Sequence, residues 1–275
     1  MGKKVRGDVS NTLPARYDDK HRLYQWSVQV PEFEVKFMDR VFKKLRGRRA
    51  YTLREDFCGT GLLCAEWVRT NRKHEAVGLD LDRDTLDWGL KHNIAPLGKA
   101  AERVDLREAD VRSVTRPGCD IVCAYNFSWF LIEPVNELAE YFRRVKDSLA
   151  PDGLVFLDCY GGWEAQQVVE EPRLVETPEG IFTYTWEQAS FDPINNTALC
   201  HIHFELKGGR RLKKAFTYEW RLYSPVEARE AFLAAGFSDC IVYWDRSEDP
   251  DVDLYWPTAR AENQPGWLAY IVGVV

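Results

Sequence analysis

A glycine-containing turn between a short strand and a helix constrains the fold of this chain more than any other feature. Residues 50–56 read as an extended segment, Gly59 and Gly61 follow, and apolar residues at helical spacing resume at Leu62. Such a turn presents free backbone N–H groups and the positive end of a helix to a ligand. Glycine has no Cβ atom, so a ligand can approach the main chain closely. The turn therefore predicts an α/β fold with a ligand-binding loop.

The alternation of strands and helices continues along the first 160 residues. Helical spacing predicts a helix between Pro31 and Gly47 and two more, over 84–92 and 135–149. Apolar runs predict further strands at 76–80, 103–106, 120–125 and 154–157. Five strands that alternate with helices indicate a mostly parallel sheet covered on both faces.

After Gly162 the pattern changes to long strand-like runs joined by short polar connectors. The runs lie at 182–191, 198–206 and 212–222, which predicts antiparallel pairing. A helix over Val226–Ala235, with Ser224 and Pro225 at its start, and strands at 240–244 and 268–275 then complete the chain.

Composition narrows the classes of protein that this chain can be. Of its 275 residues, 37 are Lys or Arg and 43 are Asp or Glu, so a surface for duplex nucleic acid is not expected. Its longest apolar stretch, Trp267–Val275, is about half of a membrane span, and no cleavable signal opens the chain, so we expect a cytoplasmic protein without membrane partners. Seven cysteines without a CxxC pair predict buried thiols and no metal site.

Two acidic residues follow strands that should end beside the glycine turn. Asp80 ends the strand about twenty residues after the turn, where a carboxylate can accept hydrogen bonds from both hydroxyls of a ribose. Asp110 and Val111 end the third strand, next to the same crevice. The alternative is a tight turn and ordinary helix-capping acids. A dinucleotide loop would carry Gly or Ala at the third position, where this chain has Cys64.

These residues together resemble a known family. The run Glu55-Asp56-Phe57-Cys58-Gly59-Thr60-Gly61 looks like the first motif of class I S-adenosylmethionine-dependent methyltransferases of the small-molecule branch. The segments 76–82, 109–111 and 120–129 resemble their later motifs, and 221–225 with 235–237 is typical of the same branch. The resemblance covers roughly residues 48–160 and 216–245.

The resemblance implies a fold and an activity. The fold is a doubly wound, mostly parallel seven-stranded sheet, Rossmann-like, with an antiparallel β insertion after the fifth strand. The activity is transfer of a methyl group from S-adenosylmethionine to a small acceptor at N or O, with S-adenosylhomocysteine as product. It also implies an N-terminal arm over the cofactor (1–30), a cofactor-binding core (31–165), a β lid (166–222) and a C-terminal part that completes the sheet (223–275).

Candidate cofactor contacts follow from the same resemblance. Glu55 takes the place of the family acid that meets the cofactor ammonium, and Arg54 either meets its carboxylate or pairs with a neighbouring acid. Phe57 departs from the family, which has glycine there. Tyr17 lies in a segment, 15–18, that resembles a tyrosine folding over the cofactor; a surface turn is the alternative. The remaining expected contacts are Cys58, Gly59, Gly61, Asp80, Leu81, Asp110, Val111 and Asn126.

Candidates for catalysis and acceptor binding are fewer. His201 and His203 share one face of a strand, so either can be the general base if that face lines the crevice, or both are solvated if it does not. Trp129 is expected to wall the acceptor site, or to pack at a helix start. Tyr184 is expected in the roof of the pocket, or in the core of the insertion.

Other functions remain open from the sequence. A nicotinamide-dependent oxidoreductase is disfavoured by Phe57 and Cys64, and a macromolecule methyltransferase by the acidic balance and by the residues 126–129. A non-catalytic S-adenosylmethionine-binding protein is the third alternative. The strands of the insertion can also pair between subunits to form a homodimer.

Overall fold

A computed structural model describes residues 11–247 and 254–275. The expected arm residues 1–10 and part of the acidic segment after residue 247 lie outside these ranges. The described chain divides into two compact units. The smaller comprises residues up to 29 and 167–220, and the larger comprises 30–166 and 221–275.

Six α-helices and twelve strands are present in the described residues. The helices are α1 (Lys20–Val28), α2 (Pro31–Arg46), α3 (Leu62–Thr70), α4 (Arg83–Gly89), α5 (Val135–Asp147) and α6 (Pro225–Ala234). The first strands are β1 (Thr52–Asp56), β2 (Glu75–Asp80), β3 (Val104–Glu108), β4 (Cys119–Ala124), β5 (Leu149–Gly161) and β6 (Val169–Thr177). They are followed by β7 (Gly180–Asp192), β8 (Thr197–Glu205), β9 (Arg211–Arg221), β10 (Asp239–Asp245), β11 (Tyr255–Pro257) and β12 (Trp267–Val274).

The larger unit is built on one mostly parallel sheet, which confirms the expected doubly wound α/β class. Its strand order is β11-β10-β12-β5-β4-β1-β2-β3. Strands β1 to β5 pair in parallel, and β12 pairs antiparallel with β5 and β10. The sheet has eight strands rather than seven because the short β11, within a segment expected to be irregular, pairs with β10.

Local sequence signals explain where the helices of this unit begin and end. Helix α2 has Pro31 in its first turn and ends at Gly47, which takes the left-handed conformation. Helix α6 begins with a capping box between Ser224 and Glu227. The apolar side of α2 packs with the sheet in one core cluster. No helix of the described residues is long and apolar enough to cross a membrane.

The smaller unit is a four-stranded antiparallel sheet, β6-β7-β8-β9, with helix α1. Strand β6 was not predicted, because Glu170, Glu171, Pro172 and Arg173 read as loop. It is an edge strand, where proline is tolerated since one side of its backbone needs no partner. The core of the smaller unit contains apolar residues of β7 and β8, which pack with Leu13 and with Leu23 of α1.

Candidate functional site

The glycine turn lies at the carboxyl ends of β1 and β2 in the larger unit. Gly59 and Gly61 take positive φ angles of 51° and 63°, and Gly61 is the N-terminal cap of α3. Phe57 also has a positive φ, 55°, a conformation that glycine adopts more readily than other residues. Phe57 holds this left-handed conformation at a cost of about 1–2 kcal/mol.

Asp80 organises the loop. One of its carboxylate oxygens accepts a hydrogen bond from the Gly59 N–H at 2.8 Å, and the other accepts one from the Asp82 N–H at 2.9 Å. Each carboxylate oxygen can accept a further hydrogen bond. Leu81, next in sequence, is 69% exposed, which leaves an apolar surface beside a free acceptor. A carboxylate acceptor at Asp80 beside an exposed apolar side chain at Leu81 suits a ribose with an attached flat base.

Glu55 is buried at the end of β1 and caps the neighbouring helix. Its carboxyl group accepts hydrogen bonds from the backbone N–H of Cys64 at 3.2 Å and from the Cys64 thiol at 3.1 Å. Burial raises the pKa of Glu55 to about 8, with a smaller contribution from Asp80. Its expected contact with a cofactor ammonium stays a prediction.

Arg54 pairs with a neighbouring acid, one of its two expected roles, and its expected contact with the cofactor carboxylate stays a prediction. It is fully buried, and its Nε donates to Asp56 at 2.6 Å. The other guanidinium nitrogens donate to Thr115, to Ser148 and to the carbonyl groups of Val111 and Ser113. Because every nitrogen is engaged, Arg54 pairs with an acid and ties the loop after β3 to β1.

Asp110 and Val111 lie on that tied loop. The Asp110 carboxylate accepts hydrogen bonds from the Arg112 side chain and from the Arg112 N–H, and Arg112 lowers the pKa of Asp110. The side chain of Val111 is buried. Both residues stand at the carboxyl edge next to β2, where their expected contact with an adenine remains a prediction.

The chain reverses sharply after β4. Asn126 and Phe127 both have positive φ, and their N–H groups donate to the two oxygens of Asp158 at 2.7 and 2.9 Å. Trp129 is completely buried, donates to the Asp158 carbonyl at 2.6 Å and stacks on Tyr223 at 5.3 Å. The ring of Trp129 therefore packs in the core, and its expected role as a wall of the acceptor site stays a prediction.

Four candidates belong to the smaller unit. Tyr17 packs near Trp26 with a ring distance of 6.3 Å, and Tyr184 is buried in the core of the four-stranded sheet under Arg173. His201 is buried with its Nδ1 at 2.9 Å from the Thr217 hydroxyl, so it is not solvated. His203 lies 2.7 Å from Glu187 through its Nε2. Whether any of the four meets cofactor or acceptor remains a prediction.

Some residues near the glycine loop were not predicted from the sequence. Gly89 of α4 lies against the loop, since a Cβ atom there would stand 2.3 Å from the Thr60 carbonyl oxygen. Asn93 donates to the same oxygen at 2.9 Å. Asp158 and Glu34 also lie at this edge of the sheet. A glycine or an asparagine within a helix pattern carries no distinctive signal, and the two acids stand in ordinary amphipathic and strand contexts.

Comparison with known proteins agrees with this geometry. Residues 56–157 match the family described as "Methyltransferase domain". No curated protein matches the sequence.

Solved structures share the fold of the whole chain. DesVI of Streptomyces venezuelae is 17% identical, with a TM-score of 0.69 over 95% of this chain and 98% of that one. An amino pentose methyltransferase from Micromonospora echinaspora, solved with S-adenosylmethionine bound, is 16% identical, with a TM-score of 0.67 over 92% and 95%. A sugar N-methyltransferase from Streptoalloteichus is 17% identical, with a TM-score of 0.65 over 100% and 97%.

The residues present suit the cofactor of these proteins. Gly59 leaves the loop backbone open, Asp80 keeps acceptor capacity, and Leu81 presents an apolar surface. They agree with the match of residues 56–157 to a methyltransferase domain, and the chain shares its fold with a methyltransferase solved with S-adenosylmethionine bound.

Proposed function

We propose that this enzyme transfers a methyl group from S-adenosylmethionine to the amino nitrogen of a small acceptor, and that amino sugars are the first acceptor class to test. The observation that carries the cofactor half is the loop of Gly59 and Gly61 with Asp80 at the end of β2. The acceptor half rests on the neighbours, one of which is an amino pentose methyltransferase and another a sugar N-methyltransferase.

Different residues at the carboxyl edge would contact different parts of the cofactor. Asp80 and Leu81 would hold the ribose and the base, and Asp110 would receive the adenine amino group. The glycine loop and Glu55 would hold the methionine part. When bound, S-adenosylmethionine supplies a methyl group on a sulfonium, whose leaving group is a neutral thioether that needs neither an acid nor a metal.

The protein then has two tasks. It must hold the acceptor nitrogen in line with the methyl group, and it must take up the proton that a protonated amine carries. Asn126, at the end of β4, is the residue that we propose to hydrogen-bond the acceptor. The arm residue Tyr17 and the β7 residue Tyr184 are proposed to contact cofactor and acceptor, respectively.

A nicotinamide-dependent oxidoreductase is the weaker interpretation of the same fold. The third position of its glycine loop would bring helix and strand close together. Here that position is Cys64, whose N–H and thiol both donate to Glu55.

Calorimetric titration with S-adenosylmethionine, S-adenosylhomocysteine and NAD tests the cofactor. We expect micromolar binding of the first two and none of NAD. Mass spectrometry after incubation with S-adenosylmethionine then tests the acceptor, using 2-, 3- and 4-amino-deoxyglucose and their nucleoside diphosphate derivatives, each beside its hydroxyl counterpart. A mass gain of one methylene unit on an amine supports the proposal, and a gain only on hydroxyl compounds overturns its nitrogen half.

A further inference from the structure

Two acidic side chains and a tyrosine meet at the carboxyl edge of the sheet, on the face that α2 covers. Leu53, Cys123 and Phe156 belong to the core cluster that includes the apolar residues of α2. Side chains two positions apart along a strand share a face. Glu55, Tyr125 and Asp158 follow these three core residues by two positions, so they point to the α2 side. The pairings Glu55↔Cys123 and Cys123↔Phe156 set the three strands side by side.

The first turn of α2 adds Glu34 to this group. Helix α2 runs opposite to β5, because Arg46 in its last turn donates to the carbonyl group of Gly153 near the start of that strand's buried run. Its first turn is therefore level with Asp158. The carboxyl groups of Asp158, Glu55 and Glu32 together with burial raise the pKa of Glu34 to about 8. Within the described residues, no hydrogen bond or ion pair engages the Glu34 carboxyl group.

Tyr125 supplies a second and independent observation. Its side chain is only 3% exposed, and its hydroxyl group has no hydrogen-bond partner among the described residues. A buried hydroxyl without a partner costs about 1–3 kcal/mol, so such groups normally meet a ligand or water. Tyr125 is at the end of β4, packs edge-on against Tyr270, and is close enough to Glu34 and Asp158 for both acids to raise the pKa of its phenol.

The charges around Glu34, Tyr125 and Asp158 favour a cation. Burial raises the pKa of Asp158 to about 7 even though two backbone N–H groups stabilise its ionised form. The titratable groups that interact with Glu34 and Tyr125 include Glu32 on α2, Glu55 on β1, Cys123 on β4 and Tyr270 on β12. None of these carries a positive charge at neutral pH, so an ammonium group would relieve the repulsion between the acids.

We propose that Glu34, Tyr125 and Asp158 form a recess that receives the ammonium group of the acceptor, and that Glu34 accepts the proton that the nitrogen must lose. This rests on the proposed function and deepens it. Asp158 is the anchor, because both of its oxygens are held by the β4 turn. Glu34 is the proton acceptor, because its carboxyl group is otherwise unengaged.

The chemistry balances in two steps. The N–H bond of the ammonium breaks, its electron pair stays on nitrogen, and the proton forms an O–H bond with the Glu34 carboxylate. The nitrogen lone pair then forms the new N–C bond to the methyl carbon while the C–S bond breaks, and that electron pair remains on sulfur. The products are a methylammonium group and a neutral thioether.

The variant Glu34→Gln tests the proposal, with Glu230→Gln as control, since Glu230 is an exposed acid of helix α6 that lies outside the acidic group. Calorimetry first compares S-adenosylmethionine with 5′-methylthioadenosine, which lacks the ammonium. We expect both to bind Glu34→Gln as they bind the wild type. Loss of affinity for S-adenosylmethionine alone would assign the recess to the cofactor ammonium and overturn the proposal.

The second measurement titrates 3-amino-3-deoxyglucose and glucose in the presence of S-adenosylhomocysteine, in two buffers of different ionisation enthalpy. The amine should bind the wild type with proton release near pH 7, and Glu34→Gln should bind it at least tenfold more weakly with less release. Tyr125→Phe should also weaken binding of the amine, and Glu230→Gln should bind it as the wild type does. Equal binding of the amine by wild type and Glu34→Gln, or no binding by either while S-adenosylhomocysteine binds, would contradict the recess but not the cofactor assignment.

Kinetics provides the third readout. On a methylated amine, Glu34→Gln should lower kcat/KM about a hundredfold and remove its acid limb near pH 7–8. A merely structural role would leave the shape of the pH profile unchanged. If His201→Ala or His203→Ala removes that limb and Glu34→Gln does not, the base is a histidine and the proposal fails.

Discussion

Single residues decide whether the loop can serve a cofactor. Phe57 takes a positive φ, which glycine adopts more readily. Gly59 leaves its backbone open, because a Cβ atom added there would meet only the Thr85 methyl group, at 3.9 Å. Asp80 then fixes the Gly59 N–H. The turn is therefore held by one carboxylate that the cofactor ribose would share.

Replacing Asp80 tests this shared role. Asp80→Ala should weaken binding of S-adenosylhomocysteine about tenfold or more, because a hydrogen bond to a charged group contributes about 1.5–3 kcal/mol. Calorimetry measures the affinity. The control is Asp84→Ala, because Asp84 is an exposed acid in the first turn of α4. Unchanged affinity in Asp80→Ala would show that the acid only shapes the turn.

Gly89 makes a second prediction at the same scale. Gly89→Ala would place a Cβ atom 2.3 Å from the Thr60 carbonyl oxygen, so the loop or α4 must shift. We expect a loss of about 1–3 kcal/mol in stability and weaker binding of S-adenosylmethionine. Gly266→Ala is the matched control, because no atom lies within 4 Å of its added Cβ. Thermal unfolding with and without cofactor measures both effects, and equal behaviour of the two variants would contradict the close packing of α4 on the loop.

At the scale of elements, a buried ion pair within β1 ties this strand to α5 and to the loop after β3. Arg54 of β1 pairs with Asp56, which also accepts from the Tyr141 hydroxyl of α5 at 2.7 Å. The same guanidinium binds the loop that carries Val111. The position of that loop beside β2 therefore depends on a buried residue of β1.

Breaking this pair should destabilise the protein strongly. Arg54→Leu leaves Asp56 buried without its cation, which costs about 3–5 kcal/mol. At about 2–4 °C per kcal/mol for a chain of this size class, Tm should fall by roughly 10 °C. Arg83→Leu, which breaks an exposed pair with Asp87, should change Tm little. Similar Tm values for both variants would show that the network around Arg54 adds little to stability.

At the scale of the whole molecule, the raised acids link folding to pH. In the folded protein the pKa values of Glu34 and Glu55 are about 8 and that of Asp158 about 7, against ordinary values of 4.5 and 3.8. Between those limits the native state binds more protons than the unfolded state. Stability is therefore greatest towards pH 5 and falls as pH rises towards 8.

The slope of this dependence can be measured by denaturant unfolding from pH 5 to pH 8. Each acid contributes up to about 1.4 kcal/mol per pH unit, and Glu34→Gln should flatten the slope. His74 and His201, whose pKa values are lowered by burial, oppose the trend, so the informative quantity is the difference between variant and wild type. Glu230→Gln should keep the wild-type slope; a Glu34→Gln slope equal to that of the wild type would remove Glu34 from the linkage.

Much of the fold was predictable because its signals are local. The period of apolar residues predicted α2, β4 and the antiparallel insertion, and the boundaries at Pro31, Gly47 and Ser224 follow from the conformational limits of proline and glycine and from helix capping. Strand β6 and the edge strand β11 were missed because their residues form strands only when a neighbouring strand supplies hydrogen bonds.

The candidate site was only half predictable for the same reason. Order and spacing along the chain predicted the glycine loop and the position of Asp80, since these residues belong to a strand, a turn and a helix that lie next to each other in sequence. Only the tertiary structure decided that Arg54 pairs inwards, that Trp129 is core, and that Glu34, Tyr125 and Asp158 meet on one face. Their burial and mutual distance depend on how α2, β4 and β5 pack, and no local pattern records that packing.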